Sequence, residues 1–590
     1  MQRSSVGRAL IWLFVLAGVA MAVAIAQTAP YTFRKTVRRV VVDVVVTDGQ
    51  HHMIHGLKKR DFRIYEDNRE QDLRSFNAYY LDGDQAYMPP RVPPLPPNTF
   101  MDVPNGPERG PLYVIVYDAL NMGDPDDQIT NQVFARKQLA QFLQSKPEGT
   151  RFELYYLGDE FRLMQGFTTD KQKLLDAFDV HRKEGHIPWA FLYGANYGSG
   201  DLGMAFEVMT FVAKNLEGLP GRKNLIWLSG GFPVPLAGPG FDIASAPNGF
   251  GISGGAHNGA ANGFGPAAGS DMATVLQEEL MREATDTLNF AQVSVYPIDV
   301  TGLNPNAAWG GINSLADQVA NSTGGKAYFN RNDILQAIQD ATENGGSYYE
   351  MTYEPPSHNF DGNLHHIQVK LSKPGYQLEY RQYYFDDDPE KPLTKEEKRY
   401  AEATAGTIVA HHPGDTLYAY MVQGAPMAHD VLFRAQVHAG ETKLATAEQM
   451  ADLQQQPAYF VLRKRNKPVK VPPPIPLQPY TIDYLVMDET AAARGGRQVL
   501  EFAACAYDED GRMLNGLSQY AERAQGKGTQ KASNSPAAKP LFRAEQTLQV
   551  PTAAKWLRIA VRDVATDRIG TIEIRLPLEQ PPAGTQQAGR

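Results

Sequence analysis

From Leu112 to Gly345, apolar runs too short to be helices alternate with stretches whose apolar residues recur at helical spacing. PLYVIVYD, KNLIWLSGG and VSVYPIDV read as strands, the first two so continuously apolar that both faces must be covered, as in a parallel sheet. Asp127 to Ser145 reads as a helix through Ile129, Val133, Ala140 and Leu143. Ala205, Val208, Met209, Val212 and Leu216 form a second helical face, and Leu276, Leu280, Ala284, Leu288 and Ala291 a third. RFELYYLG and FRLMQGF add two strands, and SLADQVANSTGG, KAYFN and DILQAIQDATENG complete a helix, a strand and a helix. This alternation predicts an α/β fold class for residues 111–345, an open, doubly wound, mostly parallel sheet with helices on its faces. Within it, residues 232–270 are dominated by Gly, Ala, Pro and Asn. They hold too little apolar area to offset ordering entropy and read as a flexible insertion beyond a strand end.

The flanks have the period of strands. Residues 31–85 are dense in β-branched residues, and a Pro-rich linker without a packing face, 86–110, separates them from the α/β unit. Strands return over 346–386, too few to stand alone, so they are expected to pair with 31–85 and make one β-sandwich into which the α/β unit is inserted. A charged linker, 387–404, leads to a C-terminal all-β region, 405–580, that begins with TLYAYMVQ. Its strand spacing predicts an immunoglobulin-like sandwich. Residues 1–26 combine Arg3 and Arg8, an apolar run and Ala24-Ile25-Ala26, the pattern of a signal peptide, with an uncleaved membrane anchor as the alternative. Either reading exports the chain, to the periplasm, the cell surface or the medium.

With 590 residues and 43% of them apolar, the chain is large enough for several packed cores. Its formal charge of −9 and lack of a basic stripe argue against a nucleic-acid partner. The single Cys505 can form no internal disulfide and is read as a small buried residue of a strand.

VVVDVVVTDGQ with IHGLKKRDFRIYEDNREQ, the strand ending VYDALNM, GLPGRKNLIWLSGGFP, VYPIDVTGL, STGGKAYFN, and GSYYEMTYEP with DGNLHHIQVKLSKPGYQLEYRQYYF occur in a fixed order. In that order the chain resembles the von Willebrand factor A-related domain proteins of acidobacterial type, over roughly residues 35 to 385. The resemblance implies a von Willebrand A/Rossmann-like fold that binds protein at the C-terminal edge of its sheet, often through a divalent cation. A cation site of that family uses DxSxS, a Thr and an Asp from separate loops, because Mg²⁺ demands converging oxygens at about 2.1 Å. Asp118 matches the first position, but Leu120 and Met122 stand at the two Ser positions and Gly230 where an acid is expected. Two readings of Asp118 stand: a carboxylate accepting hydrogen bonds from its own exit loop, or a weak metal ligand for Mg²⁺ or Ca²⁺ helped by Asp124, Asp126 and Asp127.

No GxSxG, HExxH, CxxC or Walker A pattern occurs, so neither catalytic residues nor a cofactor are expected. His51, His52 and His55 fall in one turn. His365 and His366 are adjacent in a strand, where alternation separates their rings. The expected function is protein binding or adhesion without catalysis, independent of metal because the cation motif is degenerate. The binding rim is assigned to Asp118, Asn121, Asp124, Tyr197 and Ser229. A cation-dependent adhesin and an exported hydrolase with an unrecognised site are the alternatives.

Overall fold

The computed structural model describes residues 39–80, 95–103, 111–122, 128–146, 149–178, 202–230, 281–303, 310–355, 360–386, 416–455, 473–487, 498–523 and 542–578, apart from isolated positions within them. Its strands form five sheets. One runs in the order Val293–Asp299, Lys223–Ser229, Leu112–Asp118, Arg151–Leu157, Phe161–Thr168. The first four strands are parallel, and the last is antiparallel to its neighbour. All seven residues of Leu112–Asp118 are buried, with Val114 and Val116 facing one apolar cluster and Tyr113, Ile115 and Tyr117 the other. That alternation is the period of a strand covered on both sides. The helix Leu202–Leu216 contributes Ala205, Met209 and Val212 to the first cluster. The helices Gln128–Ser145 and Ile334–Gly346 contribute Leu139, Phe142, Ile334 and Ile338 to the second.

The expected fold class, a doubly wound, Rossmann-like α/β core inserted in a β-sandwich and followed by an all-β sandwich, is corrected by this topology. Among the described residues the other four sheets are antiparallel throughout, and the fold is β-rich. Even the α/β sheet ends in a hairpin. Only residues 158–160 connect Arg151–Leu157 to Phe161–Thr168. A parallel partner would need a crossover of roughly a dozen residues or more, whereas an antiparallel one needs only a short turn.

The strands on either side of the α/β unit pair with each other. Val40–Thr47 lies antiparallel to Tyr348–Tyr353, with Val40 opposite Tyr353 and Val44 opposite Tyr349. Phe62–Glu66 and Leu364–Leu371 pair in a second sheet, and Val42, Ile64, Met351 and Val369 share one core between the two. Arg222 ties this body to the α/β sheet. Its guanidinium donates to the Tyr296 hydroxyl at 2.8 Å and to the Gly324 carbonyl at 2.7 Å, while its amide donates to the Tyr348 hydroxyl at 3.0 Å.

Two C-terminal sheets, containing Phe433–Ala439, Pro476–Val486 and Phe542–Pro551 on one side and Gln498–Tyr507, Trp556–Asp563 and Arg568–Arg575 on the other, share a core that includes Phe433, Ile482, Phe502 and Ile559. Two departures from expectation have the same origin, namely that backbone and packing partners come from distant sequence. Thr99–Met101, within the Pro-rich linker, is an edge strand on Phe433–Ala439. Main-chain pairing at a sheet edge requires no apolar face of its own. Thr416–Met421 is a short helix, not a strand. Ala419 packs into the α/β core, and Leu417 and Met421 pack against Ala503 and Ala560. Wedged between two bodies, it is apolar on both sides, which mimics a buried strand.

The same seam holds Gly424 at φ 72°, where an added Cβ would stand 1.8 Å from the Phe167 carbonyl oxygen. Arg558, fully buried, pairs with Glu573 at 2.9 Å, and Glu573 accepts from the Gly424 amide at 2.9 Å. Gly424→Ala is expected to cost on the order of 2–3 kcal/mol, because both the backbone conformation and the space exclude a side chain. Denaturant unfolding of the variant measures it; an unchanged midpoint would contradict this packing.

Candidate rim at the sheet edge

Leu112–Asp118, Lys223–Ser229 and Val293–Asp299 end together, so Asp118, Ser229 and Asp299 share the C-terminal edge of the parallel strands. In an open sheet of this kind, ligands meet that edge. The exit loops are knitted by main-chain bonds: the Gly230 amide donates to the Asn121 carbonyl at 2.6 Å, and the Val300 amide to the Ser229 carbonyl at 3.0 Å.

Asp118 is completely buried. Its Oδ2 accepts from Trp227 Nε1 at 3.1 Å, Ser229 Oγ at 3.0 Å and Asn121 Nδ2 at 3.0 Å, and its Oδ1 accepts from the Asn121 amide at 3.2 Å. Burial pushes its carboxyl up to about 6, opposed by the hydrogen bonds from Asn121, Ser229 and Trp227. Desolvation penalises the charged form, and donors restore part of that loss. Asp299 is also shifted upward by burial, against hydrogen bonds from the Thr301 amide and hydroxyl at 2.9 and 2.7 Å.

Among the described residues, those at this edge do not fit the divalent cation that the family resemblance implies, while Asp124, Asp126 and Asp127 lie outside them. Both oxygens of Asp118 are engaged by protein donors, and Met122, at a position where the motif needs a hydroxyl, is buried in the apolar cluster with Tyr117 and Leu139. Mg²⁺ needs several free oxygens in octahedral array. Of the five rim residues expected from sequence, Asp118, Asn121 and Ser229 come together in this one network, and Asp124 and Tyr197 lie outside the described residues.

Sequence reasoning missed two members, Trp227 and Asp299. Their signal was present, since alternation places Trp227 and Ser229 on the same side of their strand and Asp299 is a carboxylate ending an apolar run. The other histidines are spread out. His52 lies 3.4 Å from Asp48, and His55 stacks on Tyr80 with ring centroids 4.3 Å apart, while His51 lies outside the described residues. His365 faces acidic side chains, whereas His366 meets the ring of Tyr383.

No family model matches this sequence, and no curated protein does. Among solved structures the chain is similar to a PilB minor pilin from Streptococcus sanguinis, with a TM-score of 0.24 and 14% identity over 40% of this chain and 62% of that one. It is similar to a von Willebrand factor type A protein from Catenulispora acidiphila, with a TM-score of 0.23 and 10% identity over 53% of this chain and 72% of that one. It is also similar to the N-terminal domains of Mfa5, a type V pili tip protein from Porphyromonas gingivalis, with a TM-score of 0.15 and 15% identity over 29% of this chain and 27% of that one. The chain spans less than two thirds of the pilin's own length.

Proposed function

We propose that this is an exported, non-catalytic protein of the adhesion type that binds a protein partner at the rim around Asp118, without a cation. The observation that carries the reading is the state of the Asp118 carboxylate, buried and engaged by Trp227, Ser229 and Asn121. The element that holds an ion in a cation-dependent adhesin acts here as an internal strut that fixes the loop geometry. An edge held by such bonds suits recognition by shape. Export rests on the basic, apolar and small-residue order of residues 1–26. No helix among the described residues is long and apolar enough to cross a membrane.

The test is capture of partners from envelope extract by the exported chain in EDTA and in millimolar Mg²⁺ or Ca²⁺, beside the variants Asp124→Ala and Tyr197→Ala. The expected result is one partner retained equally in EDTA and with either ion, and weakened by both substitutions. Retention only with a divalent ion establishes the cation-dependent alternative. Cleavage of the captured partner favours the hydrolase.

A further inference from the structure

Away from the rim, four carboxylates surround one imidazole. Asp67 and Asn68 form a two-residue hairpin turn in left-handed backbone, φ 47° and 65°, which sets Asp67 against the Leu364–Leu371 strand. There Asp67 Oδ1 accepts from the His366 amide at 3.0 Å, and Oδ2 lies 2.7 Å from His365 Nδ1. On the opposite edge of the ring, His365 Nε2 lies 3.2 Å from Asp361 Oδ1 and 3.9 Å from Asp386 Oδ2. The fourth acid, Glu66, is 4.0 Å from Nδ1 and accepts from the hydroxyls of Tyr353 and Tyr384. Tyr384 also stacks on the imidazole, with centroids 5.4 Å apart.

The acceptor positions are set by main chain as well. The Asp361 amide donates to Asp386 Oδ2 at 3.3 Å, the Asn363 amide to Asp361 Oδ1 at 2.9 Å, and the Gly362 amide to the Asp386 carbonyl at 2.9 Å. Asp386 and Glu66 are buried, while His365 is half-sheltered and Asp361 reaches solvent. Four carboxylates meet one imidazole here, with the Arg282 guanidinium nearby, donating to the Gly362 carbonyl at 2.7 Å and lying over the Phe385 ring, and carboxylates held out of water are stabilised by a cation among them. With Asp67 accepting from Nδ1, an ion that displaces the Nε2 proton, which now faces Asp361 Oδ1 at 3.2 Å, meets a lone pair already aimed at the carboxylates, the way proteins orient a histidine toward a metal. Separations of 3.2 and 3.9 Å between donor atoms suit bonds of about 2.0–2.1 Å to one shared ion. One nitrogen with two carboxylates suits a borderline ion better than Mg²⁺ or Ca²⁺, which take oxygen alone.

We propose that His365 Nε2, Asp361 and Asp386 bind one divalent transition-metal ion of the Zn²⁺ class, with Asp67 positioning the imidazole, so that the ion clasps the turn, the strand and the chain end of the N-terminal sandwich. The site is independent of the rim, and its failure would leave the binding proposal untouched. The test uses the exported chain after dialysis against EDTA, titrated with Zn²⁺ by calorimetry and with Co²⁺ by its visible absorption. One ion per chain is expected, with the cobalt band lost in His365→Gln. Asp67→Asn is expected to weaken binding by about 10- to 100-fold, and Asp361→Asn to weaken it at least as much. Should His365→Gln not fold, Asp361→Asn and Asp67→Asn, at exposed carboxylates, decide alone. Absence of saturable binding in the wild type would overturn the proposal. So would binding that survives Asp361→Asn unchanged, which would place the ion elsewhere, for instance in the His51 to His55 turn.

Discussion

An Asp118→Ala chain is expected to unfold with a free energy lower by on the order of 2–4 kcal/mol. Removing the carboxylate takes an acceptor from buried Trp227 Nε1 and from the partly buried Asn121 amide groups, while Ser229 Oγ keeps the Asn121 carbonyl at 3.1 Å. Each buried donor left without an acceptor costs about 1–3 kcal/mol, partly recovered by local relaxation. Asp118→Asn keeps one oxygen for these donors and should lose roughly half as much. Urea titration of the three chains checks the order, and an alanine variant within about 1 kcal/mol of wild type would show that the network does not hold the rim. The functional consequence is direct. Under the proposed function, loss of binding in Asp118→Ala would report a collapsed edge rather than a lost contact, which is why the binding test uses Asp124→Ala and Tyr197→Ala.

Glu153→Gln is expected to flatten the fall in stability between pH 5 and 8 by on the order of 3 kcal/mol, gaining stability over wild type toward the alkaline end. Glu153 lies on the Arg151–Leu157 strand and is 1% exposed. Burial pushes its carboxyl up to about 8 from 4.5, opposed only by a hydrogen bond with Tyr155. A carboxyl whose folded pKa exceeds its unfolded value leaves stability intact below about 4.5, and that contribution is lost as pH rises through about 8. Glutamine has the shape without the titration. Asp43 and Asp118, each raised to about 6, and Lys223, lowered to about 7, titrate in both chains and cancel in the difference. Parallel stability profiles for wild type and variant would show that Glu153 does not stay neutral in the fold.

The strands of the α/β sheet were legible because LYVIVYD and KNLIWLS carry burial on both faces as a local property. The hairpin of Arg151–Leu157 with Phe161–Thr168 was legible as two strands but not as an antiparallel pair, although its short connection held that information. Thr99–Met101 and Thr416–Met421 were misjudged, since the first is a strand only because an edge at Phe433–Ala439 receives it and the second carries apolar residues on two sides because two bodies enclose it.

The sites divide in the same way. Asp118, Asn121 and Ser229 could be named from strand ends, but two of the donors that occupy Asp118 come from residues 109 and 111 positions away. Asp67 and His365 are 298 positions apart, and nothing in either local stretch announces the other. Alone, the sequence determined where chain segments bury apolar faces and where strands end, because side-chain period and turn chemistry act over a few residues. Only the tertiary structure decided which donors meet which carboxylates, and so which acids are struts and which surround a histidine. Hydrogen bonding and charge compensation act over about 3 Å in space, whatever the distance along the chain.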